Sequence, residues 1–227
     1  MRRLLLFDID GTLVWGGPAK RAFHSAMVET FGTAGDIEVH SFAGKTDPQI
    51  ARELLQGAGL PDPEIDAGLP DLFGRYLEGL EAGLEEDPME VLQGVVELLD
   101  ALAEEDGMGL ALVTGNVAGG ARLKLGSAGL MHHFSFGGYG SDSEHRDELP
   151  GVAIQRAREV WGVEFAGEDV VVIGDTPRDV QCGRAAGTVT VGVATGSFEA
   201  DDLADAGAHH VVEDFRDTRS VLELLRA

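Results

Sequence analysis

Apolar positions along the chain fall into two textures. The first begins with a short unbroken apolar run, residues 4–7, which turns acidic inside LLLFDIDGTLV. A run of that length closed by Asp and Gly predicts a buried strand. From there to about residue 88 the pattern is helical only. Residues 18–31 predict a helix, with Pro18 suited to a first turn. A second helix starts near Pro48 and stops at Gly57 and Gly59. Leu69, Leu72, Phe73, Tyr76, Leu77, Leu80 and Leu84 then recur at three-four spacing, the stripe of an amphipathic helix. The EEDP at residues 85–88 ends it.

The second texture alternates. A helix is expected to carry Val91, Leu92, Val95, Leu98, Leu99 and Leu102 on one face, followed by a strand at 110–113 and a helix near 118–128. A short strand is expected in FSF (134–136) and a loop in the glycine-rich FGGYGSDS (136–143). A helix bearing Ile154, Ala157, Val160 and Trp161 precedes the most apolar strand, VVVIG (170–174). A helix to about residue 186, a strand at 188–194 and a last helix-strand-helix close the chain. Strands alternating with helices imply a parallel sheet covered on both faces. The expected fold is therefore α/β: a three-layer, Rossmann-like parallel-sheet core formed by residues 1–14 and 89–227. Residues 15–88 form an α-helical cap inserted after the first strand.

Composition narrows the partners. The 227 residues are 44% hydrophobic, ample for a buried core, but 40 acids face 17 bases for a net charge of -23. Such a field disfavours nucleic acid and anionic membrane as partners. An anionic substrate then needs a local feature, such as a metal ion, to hold it. Cys182 is the only cysteine, so no intramolecular disulfide forms and a reducing, cytoplasmic setting fits. MRRLLLF begins like a signal peptide, but Asp8 and Asp10 interrupt the apolar run too early. No stretch is long enough to span a bilayer.

In open α/β sheets ligands sit beyond the carboxyl ends of the strands. The residues that follow the predicted strands are Asp8-Ile9-Asp10-Gly11-Thr12, Thr114-Gly115-Asn116 and Gly174-Asp175-Thr176-Pro177-Arg178-Asp179. Four acids and a hydroxyl thus converge on one sheet edge. Like charges so close require a counter-charge, and a hard divalent cation such as Mg²⁺ takes carboxylate, phosphate and water oxygens.

FDIDGTL, LVTGN and GDTPRD, in this order, resemble the signature motifs of the haloacid dehalogenase superfamily of phosphohydrolases, and the position of the helical insertion resembles that of its capped members. The resemblance implies a Mg²⁺-dependent phosphatase of small phosphorylated metabolites, similar to phosphoglycolate-phosphatase-like members. It implies Asp8 as the nucleophile that forms an aspartyl-phosphate and Asp10 as the general acid and base. It further implies that Asp8, Asp175 and the Asp10 carbonyl hold Mg²⁺, with Asp179 beside the metal, and that Thr114 bonds the phosphoryl group. By the same resemblance, Gly11, Thr12, Gly115 and Asn116 are expected to complete the phosphate-binding loops. The family's usual lysine is missing before the late helix; Arg146, in HRDELPG, stands in its place.

Lys45 in FAGKTD is a candidate substrate contact from the cap. Arg178 reads as a surface residue, Cys182 as core, and His132 and His133 as loop histidines without a partner cluster. A phosphosugar mutase shares the same chemistry and remains the alternative, with a phospho-accepting receiver module further behind. A dehalogenase is disfavoured by Asp10. Whether the chain is a monomer or a homodimer is not legible.

Overall fold

The computed structural model describes residues 3–227, so Met1 and Arg2, the head of the signal-like start, lie outside the described residues. Six parallel strands form one sheet in the order β5-β4-β1-β6-β7-β8. They are β1 (Arg3–Phe7), β4 (Met108–Thr114), β5 (Gly137–Tyr139), β6 (Val170–Gly174), β7 (Val189–Val193) and β8 (His210–Val212). β1 lies at the centre, with Phe7 beside Leu112 of β4 and Ile173 of β6. The first and third acidic motifs therefore leave adjacent strands side by side.

Alternation along the strands sends successive side chains to opposite faces. Leu5, Phe7, Val171 and Ile173 belong to one core, which continues into the helical insertion. Leu4, Leu6, Val170 and Val172 belong to the other, with Ala153 and Ala157 of α6 (Leu149–Trp161) and Cys182 of α7 (Pro177–Ala185). Cys182 is fully buried, as its reading as core implies. The three-layer α/β expectation matches this architecture.

After β1 the chain enters β2 (Val14–Trp15), which pairs antiparallel with β3 (Glu90–Val91). Between these strands lie α1 (Ala19–Phe31), α2 (Asp47–Gly57) and α3 (Asp62–Glu86). α1 and α3 pack through Phe23, which meets Tyr76 edge-on at 5.2 Å between ring centroids. The remaining helices are α4 (Val95–Ala103), α5 (Ala118–Ser127), α8 (Ala200–Asp205) and α9 (Thr218–Arg226). No helix among the described residues is long and apolar enough to cross a membrane.

Two expected elements are corrected, and a third proves longer than its apolar stripe. The helix expected to include Val91 and Leu92 starts only at Val95. Gly94 turns the chain into it with φ 81, and Val91 instead pairs with Val14. α3 begins at Asp62, two turns before the leucine stripe, with Pro63 in its first turn and Pro70 inside it. The strand expected at 134–136 lies at Gly137–Tyr139, within the stretch expected to be a loop. Phe134 and Phe136 are buried core flanks. A side chain at Gly137 would strike Leu112, and one at Gly138 would strike the Leu149 carbonyl, so glycine lets this edge strand slide under α6.

Candidate active site

The three motifs meet at the carboxyl edge of β1, β4 and β6. Asp8 follows β1, and its N–H donates to the Ile173 carbonyl at 2.9 Å, which locks the first motif to the β6 strand end. Gly11 turns the next residues back with φ 83, and a methyl group there would collide with the Asp175 carboxylate. Only glycine combines that backbone with so close an approach. Thr12 Oγ1 donates to Asp175 Oδ1 at 3.3 Å, and Thr195 Oγ1 donates to the Gly11 carbonyl at 2.6 Å.

Asp8, Asp175 and Asp179 are buried, and each offers a carboxylate oxygen within 4.8 Å of the others. Asp179 sits in the first turn of α7 in a reciprocal cap with Thr176: its Oδ2 accepts from Thr176 N at 3.0 Å and Thr176 Oγ1 at 2.7 Å. Arg146 supplies the positive charge. It is buried, donating from Nη2 to Asp8 Oδ1 at 3.0 Å and also to Asp179, while its Nε is buried without a partner among the described residues.

One guanidinium does not balance three buried acids. Burial pushes the Asp8 carboxyl up, and the charges of Asp179 and Asp10 add to this against the opposing pull of Arg146. Burial pushes Asp175 up as well, followed by repulsion from Asp179 and Asp8. The cluster is short of positive charge and presents only hard oxygen donors. It therefore fits a divalent cation such as Mg²⁺.

Thr114 ends β4 and is buried. Its Oγ1 accepts from Asn116 N at 3.3 Å and Nδ2 at 2.9 Å. Asn116 Nδ2 also donates to Asp10 Oδ2 at 2.7 Å. Gly115 lets the insertion approach: its carbonyl accepts from Asp47 N at 2.8 Å, and a side chain at 115 would run into the Lys45 carbonyl.

Above these residues lies a cavity of about 590 Å³, walled by the motifs below and by Trp15, Phe42, Lys45 and Tyr76 above. All three lysines of the chain, Lys20, Lys45 and Lys124, line it. Lys45 Nζ reaches Glu53 Oε2 at 2.5 Å and His40 Nε2 at 3.2 Å, so its charge is matched within the insertion. Thr46 Oγ1 donates to the Glu144 carbonyl at 2.9 Å, and Arg52 Nε donates to Glu144 Oε2 at 2.7 Å. These bonds tie α2 to the loop before Arg146.

Every candidate motif residue thus gathers at one place. Arg178 is exposed, as expected. The histidine reading needs correction, because Asp100 of α4 lies 3.5 Å from His133, with His132 stacked beside it. Sequence reasoning missed Lys124, Asp47 and Gly196. Lys124 is buried on α5, and its Nζ donates to Asp10 Oδ1 at 2.8 Å and Oδ2 at 2.7 Å. Asp47 is buried at the start of α2, and a methyl group on Gly196 would overlap the Asp175 carboxylate. Only the LKL context of Lys124 hinted at a helix face; its partner lies 114 residues away.

A haloacid dehalogenase-like hydrolase family model matches residues 3–187. Phosphoglycolate phosphatase 1 of Pseudomonas aeruginosa is 28% identical over 224 residues, 95% of this chain and 78% of that protein. Phosphoglycolate phosphatase of Rhodobacter capsulatus is 30% identical over 192 residues, 82% of each. Among solved structures, a hydrolase from Pseudomonas syringae superposes with a TM-score of 0.73 at 21% identity, covering 99% of both chains. CbbY from Rhodobacter sphaeroides, in complex with phosphate, superposes with a TM-score of 0.72 at 18% identity over 96% of both. With the motif order, the sheet and four-fifths of the chain in agreement, this protein belongs to the haloacid dehalogenase-like hydrolases.

Proposed function

We propose that this phosphatase hydrolyses a small organic phosphate monoester through an aspartyl-phosphate on Asp8. The observation that carries the reading is the buried trio of Asp8, Asp175 and Asp179 with Arg146 bonded to two of them. Asp8 and Asp175, with the Asp10 carbonyl and Asp179 nearby, would hold Mg²⁺. When bound, the ion neutralises charge shared by carboxylates and phosphate.

An Asp8 carboxylate oxygen attacks phosphorus while the ester oxygen departs, taking a proton from Asp10. Asp10, now ionised, accepts a proton from a water molecule that attacks the phosphoryl group, and the bond between phosphorus and Asp8 breaks. Both acids return to their starting states. Splitting the displacement into two steps replaces one difficult attack by two easier ones. Arg146 holds Asp8 in place for attack and offsets its charge. Thr114 Oγ1 already accepts two bonds from Asn116, so its own proton is free to point at the phosphoryl oxygens. Residues 15–88 would act as the cap that faces the leaving group, with Lys45 on its wall, and shield the phosphoenzyme from bulk water. A phosphorylated metabolite and a cytoplasmic setting fit this reading and the acidic surface.

The test is release of inorganic phosphate from a panel of phosphorylated metabolites with Mg²⁺ present, alongside isomerisation of β-glucose 1-phosphate. Steady release from at least one small ester supports the hydrolase. Isomerisation without release would assign the site to a mutase instead.

A further inference from the structure

We infer that Lys124 is the positioning residue for Asp10, a role that rests on the reading of Asp10 as the proton-transfer group. The side chain of Asp10 is 45% exposed and borders the cavity, on a loop beyond the strand, so nothing in its own segment fixes its carboxylate. Lys124 does. It projects from α5, keeps only 6% of its side chain accessible, and places Nζ within hydrogen-bond distance of both Asp10 oxygens. Asn116 adds a third donor to Oδ2 alone. Oδ2 therefore carries two donors and Oδ1 one, which leaves Oδ1 as the oxygen with free capacity toward the cavity.

Among the described residues Asp10 is the one acid that hydrogen-bonds the Lys124 ammonium, while the buried Asp47 attracts it without such a bond. A buried lysine is costly to keep without such a partner. A lysine serving only the fold would satisfy itself on a structural acid. This one is committed to the carboxylate that must meet the leaving oxygen within about 2.6–3.2 Å for proton transfer. Small errors in that placement reduce rate steeply, because orientation supplies much of the catalysis.

Lys124→Met and Lys124→Gln are compared with wild type and with Asp10→Asn, using an alkyl phosphate and p-nitrophenyl phosphate. Melting curves accompany each variant, and Gln carries the test if Met does not fold. The alkyl ester needs protonation of its leaving oxygen; the nitrophenolate does not. Because the second step needs Asp10 whichever ester was cleaved, the readout is kcat/KM, which reports formation of the phosphoenzyme: Lys124→Met should lower it about 10–100-fold for the alkyl ester and less than about threefold for p-nitrophenyl phosphate. Lys124→Gln, which keeps an N–H donor, should lose less. In the Asp10→Asn background the Lys124 change should have almost no further effect on the alkyl ester. Equal losses on both esters, or full additivity with Asp10→Asn, would overturn the assignment. So would a rise in KM confined to anionic leaving groups, which would make Lys124 a substrate contact. If Asp10→Asn itself loses equally on both esters, the proton-transfer role of Asp10 fails first and takes this inference with it.

Discussion

Asp47 Oδ2 accepts the backbone N–H of Val117 at 2.8 Å, joining the first turn of α2 in the helical insertion to the entrance of α5 in the core. The same residue donates its own N–H to the Gly115 carbonyl. A single buried residue thus spans the two parts of the chain beside the second motif. Burial pushes its carboxyl up to about 6, against the attraction of Lys124 and the Val117 N–H.

That shift sets a pH dependence. Below about pH 4 the carboxyl is protonated in both the folded and the unfolded chain. Between about pH 4 and pH 6 the unfolded chain ionises it while the folded chain keeps the proton, so stability falls as pH rises. Above about pH 6 the contribution is constant. Asp47→Asn keeps an oxygen for Val117 and removes the titration. Urea unfolding of both proteins from pH 4 to pH 8 should show the variant gaining on wild type, by at most about 3 kcal/mol, and levelling off above pH 6. A constant difference across the range would contradict the burial argument.

Arg146 sits between Asp8 and Asp179 with almost no exposure. Arg146→Met leaves two buried carboxylates without their cation, a change that costs about 3–5 kcal/mol for buried ion pairs. Melting in chelator should show a large loss relative to wild type. Added Mg²⁺ should narrow the gap, because the variant's cluster gains more from a bound cation. A gap indifferent to Mg²⁺ would place the metal elsewhere.

Metal removal should abolish turnover and Mg²⁺ should restore it, with Ca²⁺ a poor substitute because it prefers longer bonds and more ligands. Gly196→Ala offers a finer test, since the added methyl group displaces the Asp175 carboxylate. Titration of activity with Mg²⁺ should show half-maximal activity at a roughly tenfold higher concentration in the variant, the size of effect expected when a ligand loses its support. An unchanged titration would argue that Asp175 does not bind the ion.

Gly196 also shows where sequence reading ends. Asp8, Asp10, Thr114 and Asp175 were legible because each stands just past an apolar strand, and parallel strands deliver such residues to one edge. Arg146 stands out only through the family resemblance, at the place before a helix where that family carries its lysine. Gly196, Asp47 and Lys124 gave no such signal, because their importance lies in approaches between segments far apart in the chain. The shifted β5 strand has the same origin: Gly137 and Gly138 read locally as a loop, while the space left by Leu112 and Leu149 makes them an edge strand. Val91 read as helix because its apolar neighbours continue into α4, yet its pairing partner Val14 lies across the insertion.

The central claim is that Asp8 carries the phosphoryl group, and acid quenching during turnover tests it most directly. Enzyme mixed with Mg²⁺ and a substrate labelled in its phosphate is stopped in acid within the first turnover, digested, and the label mapped by peptide. The label should reside on the peptide containing Asp8, be released by hydroxylamine as an acyl phosphate is, and be absent from Asp8→Asn. That variant should also lose several orders of magnitude in kcat while melting as a folded protein. Label on another residue, or near-normal turnover by folded Asp8→Asn, would contradict the account.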